Sequence, residues 1–410
     1  MLAKLAVVPF WNSKRIYEPR PDKGSAMNSP ISQWNYPTQI WVGEGRVKVV
    51  GDGAASLGMS RVLLVIDDAL SHEPWAVQVI EQLQASHHAV VKRDVPGNPT
   101  GADVVAGCDL IVESSLDGVI AIGGGSVVDA AKAMALTAYQ TLILWDLEDV
   151  GDHWRRADRR RILPVIAVPT TAGTGSEVGR VAVITKSDEH RKVLIFHPDL
   201  PANLVILDPI CVAGLPPNLT AATGMDALSH CLEAWCAPGF HPMADGIALG
   251  GMKLIKRSLE TCFRHGDDLS ARTDMLTASL MGATAFQKGL GAMHALAHPL
   301  GARYGFHHGL LNAILMPYVL AHNAQGIEGR LGELASALDF GDRWSDLQAG
   351  ILALRSNLKI PDRLHDSVSA PIDRDWVASQ AVLDPSAASN PRQLTTEEYR
   401  AILDSALDSD

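Results

Sequence analysis

The first half of the chain alternates between short, continuously apolar runs and longer amphipathic stretches. The runs RVLLVIDD at 61–68, DGVIAIGGG at 117–125 and RILPVIAVPT at 161–170 are typical of strands buried on both faces of a sheet. Helical periodicity follows the first of them, in PWAVQVIEQLQAS at 74–86. Strands that alternate with helices of this length predict parallel βαβ units with right-handed crossovers.

Shorter strands complete this half, and helices fill the other. TQIWVG at 38–43, RVKVV at 46–50 and HAVVKRDV at 88–95 are predicted strands, and ANLVILDP at 202–209 is the last one. Beyond it the period is helical through to TTEEYRAILDSAL, where Thr395 and Glu398 have the spacing of a capping box.

The predicted fold class is therefore an α/β domain with a parallel sheet, followed by an all-α helical domain. Two prolines in GLPPNLT at 214–220 favour a boundary there. We predict an N-terminal extension at 1–30, an α/β domain at 31–215 and a helical domain at 216–410. A chain of 410 residues is also longer than one core usually supports.

Composition excludes several classes of partner. Hydrophobic residues make up 47% and charged residues 20%, as in ordinary globular proteins. A formal net charge of −11 argues against nucleic acid or an anionic membrane surface as the main partner. The one basic cluster, HWRRADRRR at 153–161, is interpreted as a solvated loop.

Cysteine usage and the absence of a long apolar run favour a cytoplasmic location. The five cysteines include no Cys-x-x-Cys pair, so neither a disulfide framework nor a zinc ribbon is indicated. The start, MLAKLAVVPFW, lacks a small-residue cleavage site. No run approaches the roughly 20 apolar residues that cross a bilayer.

Histidines at helical spacing are the strongest chemical signal. Asp226 and His230 are four residues apart, as are His294 and His298, and His308 follows in FHHGLLNA. Each pair projects from one helix face. Any single buried histidine is more often a core residue than a ligand. Jointly, a carboxylate and three imidazoles of this kind would suit a divalent first-row metal with a position left open for substrate.

Two glycine-rich stretches follow predicted strands. GGGSVVDAAK at 123–132 opens a helix, and Ser126 and Asp129 have the spacing of a helix cap. PTTAGTGSEVG at 169–179 adds the hydroxyls of four threonines and serines. Either junction alone is as typical of a tight turn as of a pyrophosphate site, but together they favour a nucleotide crevice. Asp67 ends a strand, as a ribose-binding acid or a simple turn residue would.

In order and spacing, these motifs resemble the iron-containing (group III) alcohol dehydrogenases. The resemblance rests on GGGSVVDAAK, PTTAGTGSE, DALSHCLEAW, HALAHPLGA and HHGLLNAILMPYVL, and runs from about Trp34 to the C-terminus. It implies a Rossmann-like dinucleotide-binding domain and a helical, metal-binding catalytic domain of dehydroquinate-synthase-like type. The metal would lie in the cleft between them, and a homodimer or higher homo-oligomer would be expected.

The resemblance also implies roles for individual residues. The metal ligands would be Asp226, His230, His294 and His308, with His307 only a neighbour, and His298 would be the catalytic histidine near the nicotinamide. The cofactor-binding residues would be Gly124, Gly125 and Ser126 at the pyrophosphate, Thr170, Thr171 and Thr174 at the adenosine and ribose, Asp67 favouring NAD over NADP, and Asn98 and Lys192 close to the cofactor.

The implied reaction is hydride transfer between a metal-bound small alcohol, diol or hydroxy acid and the nicotinamide of NAD. In the reverse direction the enzyme would reduce the corresponding aldehyde. The metal would act as a Lewis acid on the substrate oxygen. Iron and zinc accept the same ligands, so either ion fits, and NADP is not excluded. Alternatives are a zinc polyol dehydrogenase, a dehydroquinate-synthase-type lyase, or a non-catalytic nucleotide- or metal-binding protein. The lyase predicts a pocket rich in lysine and arginine, whereas the metal region is dominated by histidine and apolar residues.

Lys288, in FQKGLG just before His294, is a feature of this particular sequence. One hypothesis is that Gln287 and Lys288 recognise a polar or anionic substrate, such as a short hydroxy acid or semialdehyde. The alternative is that Lys288 is a surface ammonium.

Overall fold

A computed structural model describes residues 36–407, except 37, 93–94, 190 and 365–370. The predicted extension at 1–30 lies outside the described residues. Six strands form one parallel sheet, and two more form an antiparallel hairpin. The strands, in chain order, are β1 (Gln39–Val42), β2 (Val62–Ile66), β3 (Val90–Lys92), β4 (Gly118–Gly123), β5 (Val165–Pro169), β6 (Val181–Lys186), β7 (Arg191–Phe196) and β8 (Leu204–Leu207).

Helices cover the sheet and dominate the second half of the described chain. Those of the first half are α1 (Val50–Ser56), α2 (Pro74–His87), α3 (Gly101–Glu113) and α4 (Gly125–Thr137). After β8 come α5 (Ile210–Ala213), α6 (Pro217–Cys236), α7 (Pro242–Arg264), α8 (Leu269–Ala285), α9 (Ala292–Tyr304), α10 (His308–Ala337), α11 (Trp344–Asn357), α12 (Arg374–Leu383) and α13 (Thr396–Leu407). The predicted fold class, a parallel α/β half followed by a helical half, is confirmed.

The sheet has the order β1-β8-β5-β4-β2-β3 and is buried on both faces. Alternate residues of β2 show why: Leu64 packs in the core with α1 and α2, whereas Leu63 belongs to the larger core on the other face. That larger core continues without a break into the helical half, where Leu232 and Leu296 belong to it. Such continuous burial explains why the central strands read as uninterrupted apolar runs.

The sheet order brings three loops together at one edge. β4 lies between β2 and β5, and all three run in the same direction. Their carboxyl ends therefore place Asp67, the first glycine-rich stretch and the second one side by side. In open parallel sheets, ligands bind in the crevice outside this edge.

One predicted strand is wrong. RVKVV forms a 3₁₀ turn at Arg46–Val49 that leads into α1. Gly45 has a positive φ of 77°, which turns the chain directly after β1. The buried carboxylate of Asp208 then accepts the Val47 N–H at 2.8 Å, so this backbone is satisfied without a neighbouring strand.

The hairpin of β6 and β7 was not predicted from the sequence. Its strands pair in antiparallel fashion from Val181 opposite Phe196 to Lys186 opposite Arg191. Ile184 and Ile195 are fully buried, in the core to which α4 also contributes. The hairpin therefore widens the α/β half beyond its βαβ units.

The described chain has no helix that is long and apolar enough to span a bilayer. The capping box at the start of α13 is confirmed, since Thr395 accepts the Glu398 N–H and Glu398 accepts the Thr395 N–H at 2.9 Å. The division into 31–215 and 216–410 stays a prediction.

Candidate functional site

Five polar side chains from three helices meet in the helical half. Asp226 and His230 are one turn apart on α6, His294 and His298 are one turn apart on α9, and His308 opens α10. One ligand atom each from Asp226, His230 and His294 lies within 4.8 Å of the other two. The Nε2 of His308 is 3.6 Å from Oδ1 of Asp226. The four residues implied as metal ligands are thus brought together, while His307 is exposed at the N-cap of α10.

The charge states of this cluster suit a metal cation. Burial alone would raise the pKa of Asp226, but the neighbouring imidazoles and the Asn312 amide outweigh it and lower the pKa to about 2. Burial holds the pKa values of His294 and His308 well below the usual 6.5. The cluster therefore offers an ionised carboxylate at Asp226 and neutral imidazoles at His294 and His308, which are the forms that bind metal ions.

Glu233 orients His294. It follows His230 by three residues on α6, and its Oε2 lies 2.6 Å from Nδ1 of His294. The same carboxylate accepts the N–H groups of Gly291 and Met293 at 2.8 and 2.7 Å, so it also caps α9. With Nδ1 donating to Glu233, the Nε2 lone pair of His294 faces the cluster. Glu233 lies in the DALSHCLEAW motif, but its role could not be read from the sequence.

Asn312 lies one turn after His308 and faces the same centre. Its Nδ2 is 2.8 Å from Oδ1 of Asp226 and 3.2 Å from Nε2 of both His294 and His308. An amide nitrogen has only two hydrogens, so it cannot serve all three acceptors. More lone pairs converge here than the described side chains can satisfy, and a divalent cation fits such a donor set.

His298 lies beside the cluster on its open side. Its ring stacks on that of His308, with centroids 5.5 Å apart and planes 13° apart. The side chain is 39% exposed, against 2% for His294. Its Nδ1 lies 2.8 Å from Oδ2 of Asp384, in the loop after α12. Burial alone would lower the pKa of His298, but the Asp384 carboxylate outweighs that effect and raises it.

The first glycine-rich stretch turns from β4 into α4. Gly124 is the N-cap, with a φ of −71° and a ψ of −179° that any residue could adopt. A Cβ added there would meet only the Thr171 side chain, at 3.5 Å. Neither backbone conformation nor packing requires glycine at this position, whereas close approach of a ligand to the backbone would require it.

The expected helix cap from Ser126 and Asp129 is wrong. Ser126 lies within α4 and donates to the carbonyl of Gly97 at 2.5 Å. Asp129 instead points into the core, where it accepts the hydroxyl of Ser176 and the Val183 N–H. Gly124 at the N-cap has no side chain that could accept a hydrogen bond, so the first amides of α4 are left open to an anion.

The second glycine-rich stretch is held in place by contacts with α4 and with α6 of the helical half. The fully buried Lys132 donates to the carbonyls of Ser176 and Val181 at 2.8 and 2.6 Å. A Cβ at Gly173 would lie 2.8 Å from the Cβ of Thr223, one turn before Asp226. This contact fixes the loop against α6 and joins the sheet edge to the metal candidates.

The three threonines of this loop differ in exposure. Thr170 is buried, and its N–H donates to the carbonyl of Gly123 at 3.0 Å. Thr171 is half-buried beside Gly124, and Thr174 is exposed beside Gly125. Thr171 and Thr174 therefore lie at the mouth of the first glycine-rich stretch, while Thr170 helps to hold the two stretches together.

The remaining cofactor candidates surround the same edge. Asp67 follows β2, is partly exposed, and accepts the Ala69 N–H at 3.0 Å as a cap. Asn98 is exposed next to Gly97, whose carbonyl Ser126 contacts. Lys192 lies on β7, and burial lowers its pKa while the charge of Asp129 acts in the opposite direction. The charge of Lys192 also acts to lower the pKa of His298.

The environment of Lys288 corrects both interpretations of it. Its side chain is only 3% exposed, so it is not a surface ammonium. Its Nζ donates to Oδ1 of Asp245 at 2.6 Å, and Arg330 donates to the same oxygen at 2.8 Å. Because its charge is paired inside the protein, Lys288 is not available to bind an anionic substrate. Gln287 likewise donates inward, to the carbonyl of Thr284 at 2.9 Å.

The basic cluster at 153–161 is exposed to solvent as predicted, and its arginines also pair with carboxylates. Arg156 pairs with Asp146 at 3.1 Å and Arg160 with Asp158 at 2.9 Å. Their side chains remain 45% and 89% exposed.

Two family models match the chain almost end to end. The model for iron-containing alcohol dehydrogenase matches residues 37–209, and the C-terminal model of the Fe-containing alcohol dehydrogenase family matches residues 220–407. Among curated proteins, the chain is 37% identical over 382 residues to 4-hydroxybutyrate dehydrogenase of Cupriavidus necator, covering 91% of this chain and 99% of the relative.

Solved structures agree over the same span. A 1,3-propanediol oxidoreductase superimposes with a TM-score of 0.87 at 30% identity, covering 92% of this chain and 100% of that one. The sulfoacetaldehyde reductase from Bifidobacterium kashiwanohense, in complex with NAD+, gives a TM-score of 0.84 at 27% identity, again covering 92% and 100%.

Proposed function

Since this chain belongs to the iron-containing alcohol dehydrogenase family, we propose that it is a metal-dependent, NAD-linked dehydrogenase of small alcohols and a reductase of the corresponding aldehydes. The observation that carries the proposal is the approach of Asp226, His230 and His294 to within 4.8 Å of one another, next to the glycine-lined sheet edge. A lyase or polyol-dehydrogenase activity has no comparable support.

Asp226, His230, His294 and His308 would hold the metal. The family favours Fe2+, and Zn2+ would fit the same ligands. When bound, the ion supplies Lewis-acid polarisation of the substrate oxygen. The chain's own part is to keep the Asp226 carboxylate ionised and the imidazoles of His294 and His308 neutral. It also orients His294 through Glu233.

Gly124, Gly125 and Ser126 would hold the pyrophosphate of NAD, with Thr170, Thr171 and Thr174 on the adenosine and ribose side. Asp67 would accept ribose hydroxyls and disfavour the 2′-phosphate of NADP. Asn98 and Lys192 would complete the cofactor site. The cofactor supplies the hydride acceptor, while the protein supplies orientation.

His298 would be the catalytic histidine that moves the proton. In alcohol oxidation it accepts the hydroxyl proton and releases it to solvent through its exposed edge. In aldehyde reduction it returns a proton to the product oxygen.

The substrate class is that of small primary alcohols, including diols and ω-hydroxy acids. Relatives named for 4-hydroxybutyrate, 1,3-propanediol and sulfoacetaldehyde support this range. No nucleic-acid or membrane partner is expected from a chain of net charge −11. We further propose a cytoplasmic homodimer or higher homo-oligomer. All five cysteines are free thiols and four are buried, as suits a reducing compartment.

The test is NADH formation with a panel of primary alcohols, diols and hydroxy acids. Chelator-stripped enzyme is compared with enzyme reloaded anaerobically with Fe(II) or Zn(II). We expect activity to disappear on stripping and to return with one of the two ions. Turnover that is indifferent to metal would remove Asp226, His230, His294 and His308 from the catalytic centre.

A further inference from the structure

We propose that Asp384 is a positioning residue for His298, fixing the ring so that its Nε2 serves proton transfer. This proposal rests on the proposed function, in which His298 moves the substrate proton. The contact that carries it is the 2.8 Å hydrogen bond between Nδ1 of His298 and Oδ2 of Asp384. The two residues are 86 positions apart, so no local sequence motif joins them.

Asp384 is held rigidly on both of its oxygens. While Oδ2 meets His298, Oδ1 accepts the Ser386 N–H at 2.8 Å and caps the 3₁₀ turn at Pro385–Ser389. Its side chain is 12% exposed, against 39% for His298. A carboxylate fixed by a backbone amide cannot swing away to follow the imidazole, so it determines where the imidazole points.

The loop that carries Asp384 is also hydrogen-bonded to α9, the helix that carries His298. Asn390, just after the turn, accepts the Ala292 N–H at 3.1 Å with its Oδ1. Asn390 and Asn323 also exchange two amide hydrogen bonds, each 2.9 Å long. The segment Asp384–Asn390 thus grips α9 at its first residue and again at His298, which sets the position of the carboxylate relative to the ring.

The hydrogen bond decides which ring nitrogen is available. A carboxylate can only accept, so Nδ1 carries the hydrogen and Nε2 keeps its lone pair. Among the residues described, none makes a hydrogen bond to this Nε2. The ring is stacked on His308 and partly exposed, so Nε2 is the nitrogen left for substrate and solvent.

Asp384 would also stabilise the imidazolium that forms when His298 accepts the substrate proton. In alcohol oxidation the hydroxyl proton passes to Nε2, and the hydride leaves the carbinol carbon for NAD+. The products are the carbonyl compound, NADH and an imidazolium, which then loses its proton to water. The Asp384 carboxylate remains ionised and offsets the positive charge while the imidazolium exists.

A purely structural role, capping Pro385–Ser389, is the competing explanation. Asp373 is a matched control: it accepts the Trp376 N–H at 3.1 Å to cap α12 and pairs with Arg303, but it contacts no histidine among the described residues. Asp384→Asn and Asp373→Asn both keep an oxygen for the cap and remove one charge. Only the first alters the partner of His298.

The experiment compares these two variants with wild type, His298→Gln and the double variant His298→Gln/Asp384→Asn. For Asp384→Asn we expect metal content, NAD affinity and KM close to wild type and kcat at least about tenfold lower. Asp373→Asn should keep its kcat. In the His298→Gln background, Asp384→Asn should cause no further loss. An unchanged kcat in Asp384→Asn, or an equal further loss in the double variant, would overturn the proposal.

A readout independent of turnover separates this proposal from the proposed function. Long-range proton–nitrogen spectra of 15N-histidine-labelled protein, with His298 assigned through His298→Gln, report the tautomer of the ring. We expect Nδ1 to be protonated in wild type, and the His298 signals to change in Asp384→Ala. A mainly Nε2-protonated ring would refute the positioning role even in an active dehydrogenase. If wild type has the expected tautomer but no metal-dependent NADH formation, the proposed function fails and the orienting contact stands.

Discussion

Glu233 and His294 are joined by a 2.6 Å hydrogen bond that lies wholly inside the protein, with their side chains 4% and 2% exposed. Burial raises the pKa of Glu233 to about 7, although backbone amides of α9 bond to its carboxylate and act in the opposite direction. Burying this carboxylate costs free energy. In return, the one side chain both orients a candidate metal ligand and caps the helix that carries that ligand.

Replacing Glu233 by glutamine is expected to weaken metal binding without unfolding the protein. The amide can serve fewer of the three N–H donors than the carboxylate does, so His294 loses its fixed orientation. We expect a 10- to 100-fold loss of metal affinity, roughly the range seen when such outer partners are removed. Competition with a chromogenic chelator measures it.

Glu260→Gln is the control for that change. Glu260 pairs with Arg264 on the surface of α7. Along the chain it is well separated from each candidate metal ligand. The metal affinity of the Glu260→Gln variant should equal that of wild type. Equal affinities in Glu233→Gln and wild type would show that the His294 contact does not matter for the metal.

Gly124→Ala should leave the fold intact and weaken NAD binding. The backbone at Gly124 is extended and the nearest side-chain atom to an added Cβ is 3.5 Å away, so the methyl group causes no strain. It would occupy the space through which a pyrophosphate reaches the free amides of α4. We expect the Kd for NAD to rise about tenfold or more, which is about 1.4 kcal/mol of binding free energy.

Fluorescence titration measures that Kd, and thermal unfolding checks the fold. Gly246→Ala on α7 is the matched control, because an added Cβ there meets nothing within 4 Å and so causes no clash. An NAD affinity unaffected by Gly124→Ala would place the pyrophosphate elsewhere.

Asp67→Asn should shift cofactor preference towards NADP. Asparagine keeps an oxygen for the Ala69 N–H, so the turn after β2 survives while the negative charge is lost. Without that charge, the 2′-phosphate meets less repulsion, and we expect the ratio of kcat/KM for NADP to that for NAD to rise about tenfold. Steady-state kinetics with both cofactors measure the ratio. A ratio that does not move would assign Asp67 to the turn alone.

His197 should make the fold sensitive to acid. Burial lowers its pKa to about 4, mainly because the ring has left water, and the Asp199 N–H donates to its Nδ1 at 3.1 Å. The folded state therefore binds this proton more weakly than the unfolded chain, whose pKa is near 6.5. The stabilisation is complete above pH 6.5 and is lost as pH falls through about 4.

Denaturant unfolding between pH 7 and pH 4 tests this. His197→Asn retains an acceptor for the Asp199 N–H but cannot take up a proton, so its stability should fall less steeply over that range. Parallel curves for the variant and wild type would assign the acid sensitivity to other groups.

What the sequence revealed about this protein was mostly local. The apolar runs of β2, β4 and β5 predict a sheet, because a strand that is buried on both faces has apolar residues at almost every position. His294 and His298 could be paired from their spacing alone, because one helix turn brings them to the same face.

What the sequence did not reveal depends on contacts between distant segments. RVKVV has the composition of a strand, but Asp208, more than 150 residues later, captures its backbone. Lys288 could be taken for an exposed cation because its partner Asp245 lies on another helix. The link from Asp384 to His298 depends on how the chain returns to α9, which no spacing encodes.

The candidate ligands come from three helices and span Asp226 to His308, so an ion held by them would also be a cross-link of the folded state. Ligand bound only by the native form stabilises it by about 2.7 kcal/mol when its free concentration is a hundred times Kd. Without metal, the protein would lose this stabilisation, and a larger fraction of it would be unfolded and accessible to proteases. Iron supply in the cell would then govern the lifetime of the protein as well as its turnover rate.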